Sequence, residues 1–514
     1  MTGSIICILV TIICYMGMMI IIGAVFSKKN SNVGDFYLGG RRLGPIVSAM
    51  SAEASDMSSY LLMGLPGLAY LCGTAEVGWT IIGLAAGTYL NWLIVAKRLR
   101  VYSHKCEAIT IPDFFANRYR DKKVLMAISA AIILVFFVPY TASGFSACGK
   151  LFNQLFGWDY HFAMVISAVI IIAYTSLGGF LAASFTDLIQ SIVMTIALII
   201  LVCYGVSTAG GFDAVIENAK RVPDYLSMTS TVTAEGNHVA FGGFSILSTL
   251  AWGLGYFGMP HILLRFMAIK DKDKIKVSRR IASVWVVIAM SVAMFIGLVG
   301  STLTANGVVK TLGSSAESET IVLEMATVLS KHGIPAAFVA GIIFAGILAC
   351  TMSTSDSQLL AASSSMSENI MKSVLGIKMS SRQSMLAARA VLLVIAVLGI
   401  ILAWDQNSSV FRVVSFAWAG FGATFGPVML TSLFWKRSNK YGACAGLAVG
   451  GVMVFLWKFV IAKAGGIFAV YELLPSFICA LIAIIVVSLL TKEPEKEIVK
   501  EFEEVQAELA GQGK

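Results

Sequence analysis

The chain has 514 residues, of which 57% are hydrophobic and only 13% charged, and its net charge is +9. Soluble domains carry about 25% charged residues, and here the charges are clustered between apolar stretches of about 20 residues, the length that crosses a bilayer. This pattern excludes a soluble or secreted globular protein and predicts an all-α integral membrane protein. The distribution of the basic residues argues against nucleic acid as a partner.

Thirteen apolar stretches follow one another along the chain. They are predicted to be transmembrane helices, because a span in hydrocarbon must satisfy its own backbone hydrogen bonds. Their approximate centres are Met16, Met57, Gly83, Phe137, Ile170, Ile196, Gly255, Met290, Ala345, Val397, Ala423, Val454 and Ile484. The nine cysteines are scattered without a CxxC pair, so free thiols are expected rather than disulfides or a zinc site.

The loops between the predicted helices differ in basic residues. Most of the 38 Lys and Arg lie in alternate loops and in the tail. These segments contain Lys28 and Lys29, Arg41 and Arg42, residues 97–123, 265–280, 372–389 and 436–440, and the tail from Lys492. Basic loops remain in the cytoplasm, so the N-terminus is predicted outside and the C-terminus inside.

Two predicted helices, the second and the seventh, are interrupted. Residues 51–59 contain Glu53, Asp56 and four serines, and residues 252–261 contain three glycines and a proline. Buried charges need a polar cavity, and Gly and Pro weaken a helix. Because each interruption opens a group of five spans, the pattern predicts an inverted repeat and a transport site. Two kinked helices of structural purpose remain the alternative.

A third polar segment, residues 350–358, lies in the ninth predicted helix and contains Ser353 and Thr354. Such hydroxyls often bond to the preceding helical turn, which is the alternative to a functional role. Beside an unwound helix, hydroxyls and freed carbonyls would instead form a cage of hard oxygen ligands, which suits sodium.

Several short motifs carry a resemblance to a known family. They are residues 37–41, 54–58, 61–67, 174–182, Thr186 and Asp187 with Gln190, residues 252–258, 352–354 and 417–422. In these motifs the chain resembles the sodium:solute symporter family, most closely its bacterial sodium/proline branch, from about Tyr15 to Leu490. The resemblance implies a LeuT-like core of ten helices, with one extra helix before it and two after it.

The domain boundaries follow from this arrangement. They are residues 1–43 for the extra helix and its loop, 44–207 for the first repeat, 208–241 for an external linker, 242–404 for the second repeat, 405–491 for the last two helices and 492–514 for a cytoplasmic tail. The implied location is the cytoplasmic membrane of a bacterium.

The resemblance also implies site residues. The sodium ligands would be the carbonyls of Ala54, Met57 and Cys350 and the hydroxyls of Ser353 and Thr354. The substrate pocket would be formed by Ser58, Tyr140, Trp252, Tyr256 and Pro260. Asp56 would serve sodium-dependent function and Asp187 would be a gate or an ion-exit contact. The alternatives are a helix-capping role for Asp56 and plain packing for Trp252 and Tyr256.

Some positions depart from the family pattern. Met259 stands where a glutamine is familiar, Phe185 replaces a tryptophan, Ser59 and Tyr60 replace a glycine-tryptophan pair, and Glu53 is unusual. Met259 adjoins the implied pocket, so it bears on the choice of substrate.

The expected function is sodium-coupled uptake of L-proline, with sodium as the coupling ion, no organic cofactor and no enzymatic activity. The first alternative keeps the fold and transports another small solute with sodium or with protons, through Asp56 or Glu53. A membrane sensor or enzyme and a passive channel are the others; no cluster of metal-ligand spacing and no catalytic domain favours the sensor or enzyme. The sequence leaves the oligomeric state open.

Overall fold

The computed structural model describes residues 3–27, 32–233 and 236–511, and this part of the chain is helical apart from two short strands. Lys28 and Lys29, which entered the orientation argument, and the last three residues of the tail lie outside the described residues.

Nine helices form the first part of the chain. They are α1 (Gly3–Ser27), α2 (Val33–Leu38), α3 (Pro45–Ser59), α4 (Leu65–Cys72), α5 (Ala75–Leu90), α6 (Ala96–Lys105), α7 (Ile111–Arg118), α8 (Val124–Phe156) and α9 (Tyr160–Ala209). Two π-helical segments, Tyr60–Gly64 and Asn91–Val95, join α3 to α4 and α5 to α6.

The remaining helices follow the predicted external linker, which itself contains a helix and a hairpin. They are α10 (Phe212–Arg221), α11 (Gly243–Leu250), α12 (Pro260–Ala268), α13 (Ile275–Ala305), α14 (Ser315–Ser318), α15 (Ile321–Ser330), α16 (Ile334–Ser364), α17 (Ser381–Leu402), α18 (Val410–Phe434), α19 (Lys440–Phe459), α20 (Leu473–Leu490) and α21 (Lys496–Leu509). Strands β1 (Ser230–Val232) and β2 (His238–Ala240) pair antiparallel.

Among the described residues, ten helices are long and apolar enough to cross a membrane, and each contains one of the predicted centres. The other three centres, Met57, Ile170 and Gly255, lie in helices that are interrupted or short. The 3₁₀ segment Ala251–Phe257 separates α11 from α12. The predicted count of thirteen therefore differs from ten at the interrupted helices and at the first part of α9.

Helix α9 contains two of the predicted spans. Its 50 residues would extend about 75 Å as one straight helix, far more than the bilayer needs. The break lies at Gly179, with φ 64° and ψ −172°, a left-handed backbone conformation that glycine adopts without a Cβ penalty. The sequence predicted two separate spans here, and Gly179 is the residue that divides them.

Helix α16 occupies the centre of the molecule and packs against α1, α3, α8 and α9. A helix that is apolar on all sides is suited to such a buried position. Helix α1 instead has many exposed apolar side chains, as expected for a helix that faces lipid. The polar segment of α16 is therefore placed against the first interrupted helix.

A buried ion pair closes one end of the bundle. The Lys150 ammonium of α8 lies 3.1 Å from the Glu319 carboxylate, and both side chains are at most 8% exposed. Glu319 also accepts hydrogen bonds from the backbone N–H groups of Val410 and Phe411. A carboxylate at the first turn satisfies free N–H groups and the positive end of the helix dipole, so Glu319 fixes the start of α18.

Candidate functional site

The first interruption lies at the end of α3. Ser58 has φ 47° and ψ −168°, a conformation that costs a non-glycine residue about 1–3 kcal/mol and tends to occur at functional sites. The Ser58 hydroxyl accepts a hydrogen bond from the Tyr60 N–H at 3.2 Å. The predicted polar stretch is thus a real break, which frees backbone groups inside the bundle.

The second interruption separates α11 from α12. Residues Ala251–Phe257 form the 3₁₀ segment, Met259 is extended, and α12 begins with Pro260 at its first position. Proline is favoured there because the first helical N–H needs no partner. Met259 and Pro260 are both buried. The predicted interruption of the seventh span is therefore present.

The two interrupted helices meet at Asp56. The Tyr256 hydroxyl donates a hydrogen bond of 2.5 Å to the Asp56 carboxylate, and the Tyr140 hydroxyl lies 3.4 Å from the Asp56 carbonyl oxygen. Asp56 is 7% exposed. Three residues predicted from different parts of the chain are thereby brought together, with Ser58 two positions further along α3.

The residues predicted as sodium ligands also meet. The Ser353 hydroxyl donates to the Ala54 carbonyl at 2.8 Å and to the Cys350 carbonyl at 3.1 Å. The Thr354 hydroxyl donates to the same Cys350 carbonyl at 3.2 Å. The Met57 carbonyl accepts from the Tyr60 N–H at the break. Hydroxyl and carbonyl oxygens are hard ligands, so this donor set fits sodium.

Trp252 belongs to a stack of aromatic rings beside the break. Its ring lies 5.8 Å from that of Tyr60 and 5.0 Å from that of Tyr471, both nearly parallel. The Trp418 indole donates to the Trp252 carbonyl at 2.8 Å. Tyr60 and Tyr471 were not predicted as site residues; nothing in the sequence places the segment before α20 here.

Asp187 lies in a separate, fully buried network. Its carboxylate accepts from the Arg265 guanidinium at 3.0 Å and from the Ser51 hydroxyl at 2.6 Å. Arg265 also donates to Ser51 and to Ser357. The network ties α3, α9, α12 and α16 together. The sequence singled out Asp187 but not Arg265, whose partner stands 78 positions away.

A profile of the sodium:solute symporter family matches residues 36–450. The chain is 43% identical to a sodium/proline symporter of Haemophilus influenzae, over 97% of both chains. It is 41% identical to the high-affinity proline transporter PutP of Bacillus subtilis, over 95% of this chain and 99% of that protein. It is 40% identical to the sodium/proline symporter of Escherichia coli, over 97% and 96%.

Two solved structures share the fold. A substrate-bound, outward-open sodium-coupled sialic acid symporter superposes with a TM-score of 0.79 at 18% identity, over 95% of this chain and 99% of that one. MhsT in complex with L-phenylalanine gives a TM-score of 0.51 at 14% identity, over 87% and 98%.

Proposed function

Because the chain belongs to the sodium:solute symporter family, we propose that it takes up L-proline together with sodium by alternating access. The family consists of transporters, so the chain is a symporter rather than an enzyme. The observation that carries the proposal is the contact of the Ser353 hydroxyl with the Ala54 carbonyl. It joins the polar segment of α16 to the interrupted helix α3.

Sodium is bound between α3 and α16 in this proposal. The ligands are the carbonyls of Ala54, Met57 and Cys350 with the hydroxyls of Ser353 and Thr354. In the structure the two hydroxyls donate to the carbonyls. A hydroxyl that turns its lone pairs toward a cation releases that carbonyl as a second ligand, so sodium replaces the hydrogen bonds and ties the same two helices.

Proline is bound at the two interruptions. Its ring would pack on Trp252, Tyr256 and Tyr140, because aromatic faces suit an apolar ring. Its carboxylate would meet the N–H groups that the break at Ser58 exposes, since helix N-termini attract anions. Pro260 forms part of the wall. Relatives named as proline symporters support this cargo.

Coupling follows from the shared position of the two sites on α3. Asp56 lies between the sodium ligands Ala54 and Met57 and is bonded to Tyr256 of the substrate pocket. Sodium that orders α3 thereby orders the pocket, which makes each ligand raise the affinity for the other. Each inward charge gains about 2.3 kcal/mol per 100 mV of membrane potential. Rearrangement of the core then exposes the site inward, with Asp187 on the ion path.

The proposed membrane arrangement has thirteen crossings, with the N-terminus outside and the C-terminus in the cytoplasm of a bacterium. Helices 44–207 and 242–404 form two inverted repeats of five spans. The interrupted helices at Met57 and Gly255 and the first part of α9 supply the three crossings beyond the ten long apolar helices. The bias of basic residues to alternate loops supports the orientation.

The first test is uptake of radiolabelled L-proline into proteoliposomes with an inward sodium gradient, compared with potassium or choline. We expect accumulation with sodium alone. The double variant Ser353→Ala/Thr354→Ala should lose at least tenfold in apparent sodium affinity, because two of five oxygen ligands are removed. Thr351→Val is the matched control, since this hydroxyl bonds only to its own preceding turn.

Three results would redirect the proposal. Uptake that ignores sodium and follows a pH gradient would assign the coupling to Asp56 or Glu53. No proline uptake by folded protein would change the cargo, and the buried Met259 beside Pro260 would then be the first residue to exchange, for glutamine. A screen of other amino acids, sugars and carboxylates would follow. Equal loss in Thr351→Val would show that α16 as a whole, and not the ligand pair, was damaged.

A further inference from the structure

Four oxygen atoms beside the site have no hydrogen-bond partner in the described part of the chain. They are Glu53 Oε2, Asp56 Oδ1, Thr88 Oγ1 and Asn91 Oδ1. Their side chains are at most 7% exposed. Buried polar atoms in proteins are almost always paired, because an unpaired one loses its water without compensation. Four unpaired oxygens in one region therefore indicate a missing ligand.

The four side chains are linked through short contacts. Trp92 donates to the other Glu53 oxygen at 3.2 Å, and the Asn91 amide donates to the Tyr256 carbonyl at 2.9 Å. The Tyr256 hydroxyl, bonded to Asp56, has Thr88 as its other neighbour. Glu53 and Asp56 are three positions apart on α3.

Thr88 and Asn91 are likewise three positions apart, where α5 passes into the π-helical segment Asn91–Val95. Residues at this spacing share one helix face, and π-helical turns tend to occur at functional sites. The pair on α3 and the pair on α5 thus lie on either side of the Tyr256 hydroxyl.

We propose that Glu53, Asp56, Thr88 and Asn91 form a second sodium site. Carboxylate, hydroxyl and amide oxygens are hard ligands, and neither sulfur nor imidazole belongs to the set. Within the described residues no Lys or Arg side chain bonds to either carboxylate, so two neighbouring negative charges are buried without a cation. Such charges are costly unless a cation or a proton compensates them.

The second site lies on the other side of α3 from the first. Ser353 connects α3 to α16, whereas Thr88 and Asn91 connect it to α5 and, through Tyr256, to the other interrupted helix. The inference rests on the proposed function for its consequence, which is that two sodium ions accompany each proline. The binding of two ions does not itself depend on the cargo.

Equilibrium binding of ²²Na⁺ to the purified protein without proline tests the site directly. We expect two ions per wild-type chain and one in Glu53→Gln, which keeps the size of the side chain and an oxygen that accepts from Trp92. Thr88→Val removes one neutral oxygen and should weaken the second ion several-fold. It leaves both carboxylates in place and so guards against a folding defect in Glu53→Gln.

Glu76→Gln is the matched control, because this carboxylate lies in the first turn of α5, at the other end from Thr88. It should keep two ions. The double variant Ser353→Ala/Thr354→Ala should retain the ion at Glu53. Binding of one ion to the wild type, or of two ions to Glu53→Gln, overturns the second site; the unpaired oxygens would then be hydrated.

The ratio of sodium to proline, measured from the reversal potential of uptake, gives a second readout. It should fall from two in the wild type to one in Glu53→Gln, and the sodium-activation curve should change from sigmoidal to hyperbolic. Uptake driven by a pH gradient at constant sodium, lost in Glu53→Gln, would overturn sodium in favour of a proton. Two bound ions without proline uptake would instead refute the cargo and leave the second site standing.

Discussion

Asp187 and Arg265 form an ion pair inside the bundle, and their side chains are 0% and 1% exposed. An ion pair at such depth repays its loss of hydration only through good geometry and further hydrogen bonds. Ser51 and Ser357 supply those bonds. The pair joins both interrupted helices to α9 and α16, so it must rearrange whenever these helices move apart.

The variant Asp187→Asn leaves the Arg265 charge buried without its carboxylate. We expect the free energy of unfolding to fall by about 3–5 kcal/mol. The half-saturating sodium concentration of uptake should rise as well, because Asp187 is proposed to lie on the ion path. Thermal unfolding in detergent and sodium-activation curves measure the two effects.

The double variant Asp187→Asn/Arg265→Gln is the control, since it removes both charges and should be more stable than Asp187→Asn. If it is less stable, repulsion-free packing rather than the ion pair holds this region. Unchanged sodium activation in Asp187→Asn would exclude Asp187 from the ion path.

At the scale of elements, the 3₁₀ segment and α5 approach each other with backbone in direct contact. A Cβ at Gly253 would overlap the Gly83 carbonyl oxygen, and a Cβ at Gly87 would overlap the Gly253 backbone. Only glycine allows this distance. The contact sets the height of Tyr256 relative to Asp56, so a loss of one methyl group's space changes the pocket.

Gly253→Ala should therefore weaken binding while the protein still folds. Overpacking costs about 1–3 kcal/mol, which corresponds to a loss of about 5- to 150-fold in proline affinity, since 1.4 kcal/mol is tenfold. Equilibrium binding of proline at saturating sodium measures it. Gly243→Ala, in the same interrupted span, meets open space and should bind normally. Equal affinity in both variants would contradict the role of the close approach.

Both interruptions could be predicted because their cause is local: Ser58 and Glu53 are polar within an apolar stretch, and Gly253, Gly255 and Pro260 weaken a helix wherever they lie. The family of the chain, expected from short motifs, is confirmed. The ion pair of Asp187 with Arg265 and the stack of Tyr471 on Trp252 could not be predicted in this way. Such partners are far apart in sequence and are chosen by packing, which leaves no periodic signal.

At the scale of the whole molecule, helix α21 connects distant parts of the chain at one end of the bundle. Four of its glutamates pair with basic residues of different loops. The pairs are Glu497 with Arg120, Glu503 with Lys436, Glu504 with Lys105, and Glu508 with Lys272. These basic residues lie before α8, after α18, at the end of α6 and before α13, so the helix crosses elements of both proposed repeats.

Two kinds of contact hold α21, and their magnitudes differ. The glutamates are 42–74% exposed, and exposed pairs contribute about 0–1 kcal/mol each. Phe502 is 6% exposed and packs on Tyr102 and under the Arg118 guanidinium. Truncating a buried Phe costs about 3–5 kcal/mol. The apolar contact should therefore dominate.

Phe502→Ala is expected to release α21, whereas Glu504→Gln should leave it in place. A spin label on the tail, with a second on the loop before α8, reports attachment as a narrow distance distribution that broadens on release. In Phe502→Ala the distribution should broaden at any salt concentration. In the wild type it should stay narrow at 1 M salt, where the Debye length is about 3 Å and exposed pairs are screened. Release of the wild-type helix by salt, with Phe502→Ala still attached, would reverse the assignment and make the ion pairs the main attachment. Proline uptake by the Phe502→Ala protein then decides whether an attached tail matters for transport: because α21 bridges loops of both proposed repeats, its release should change the rate of uptake rather than the affinity for proline.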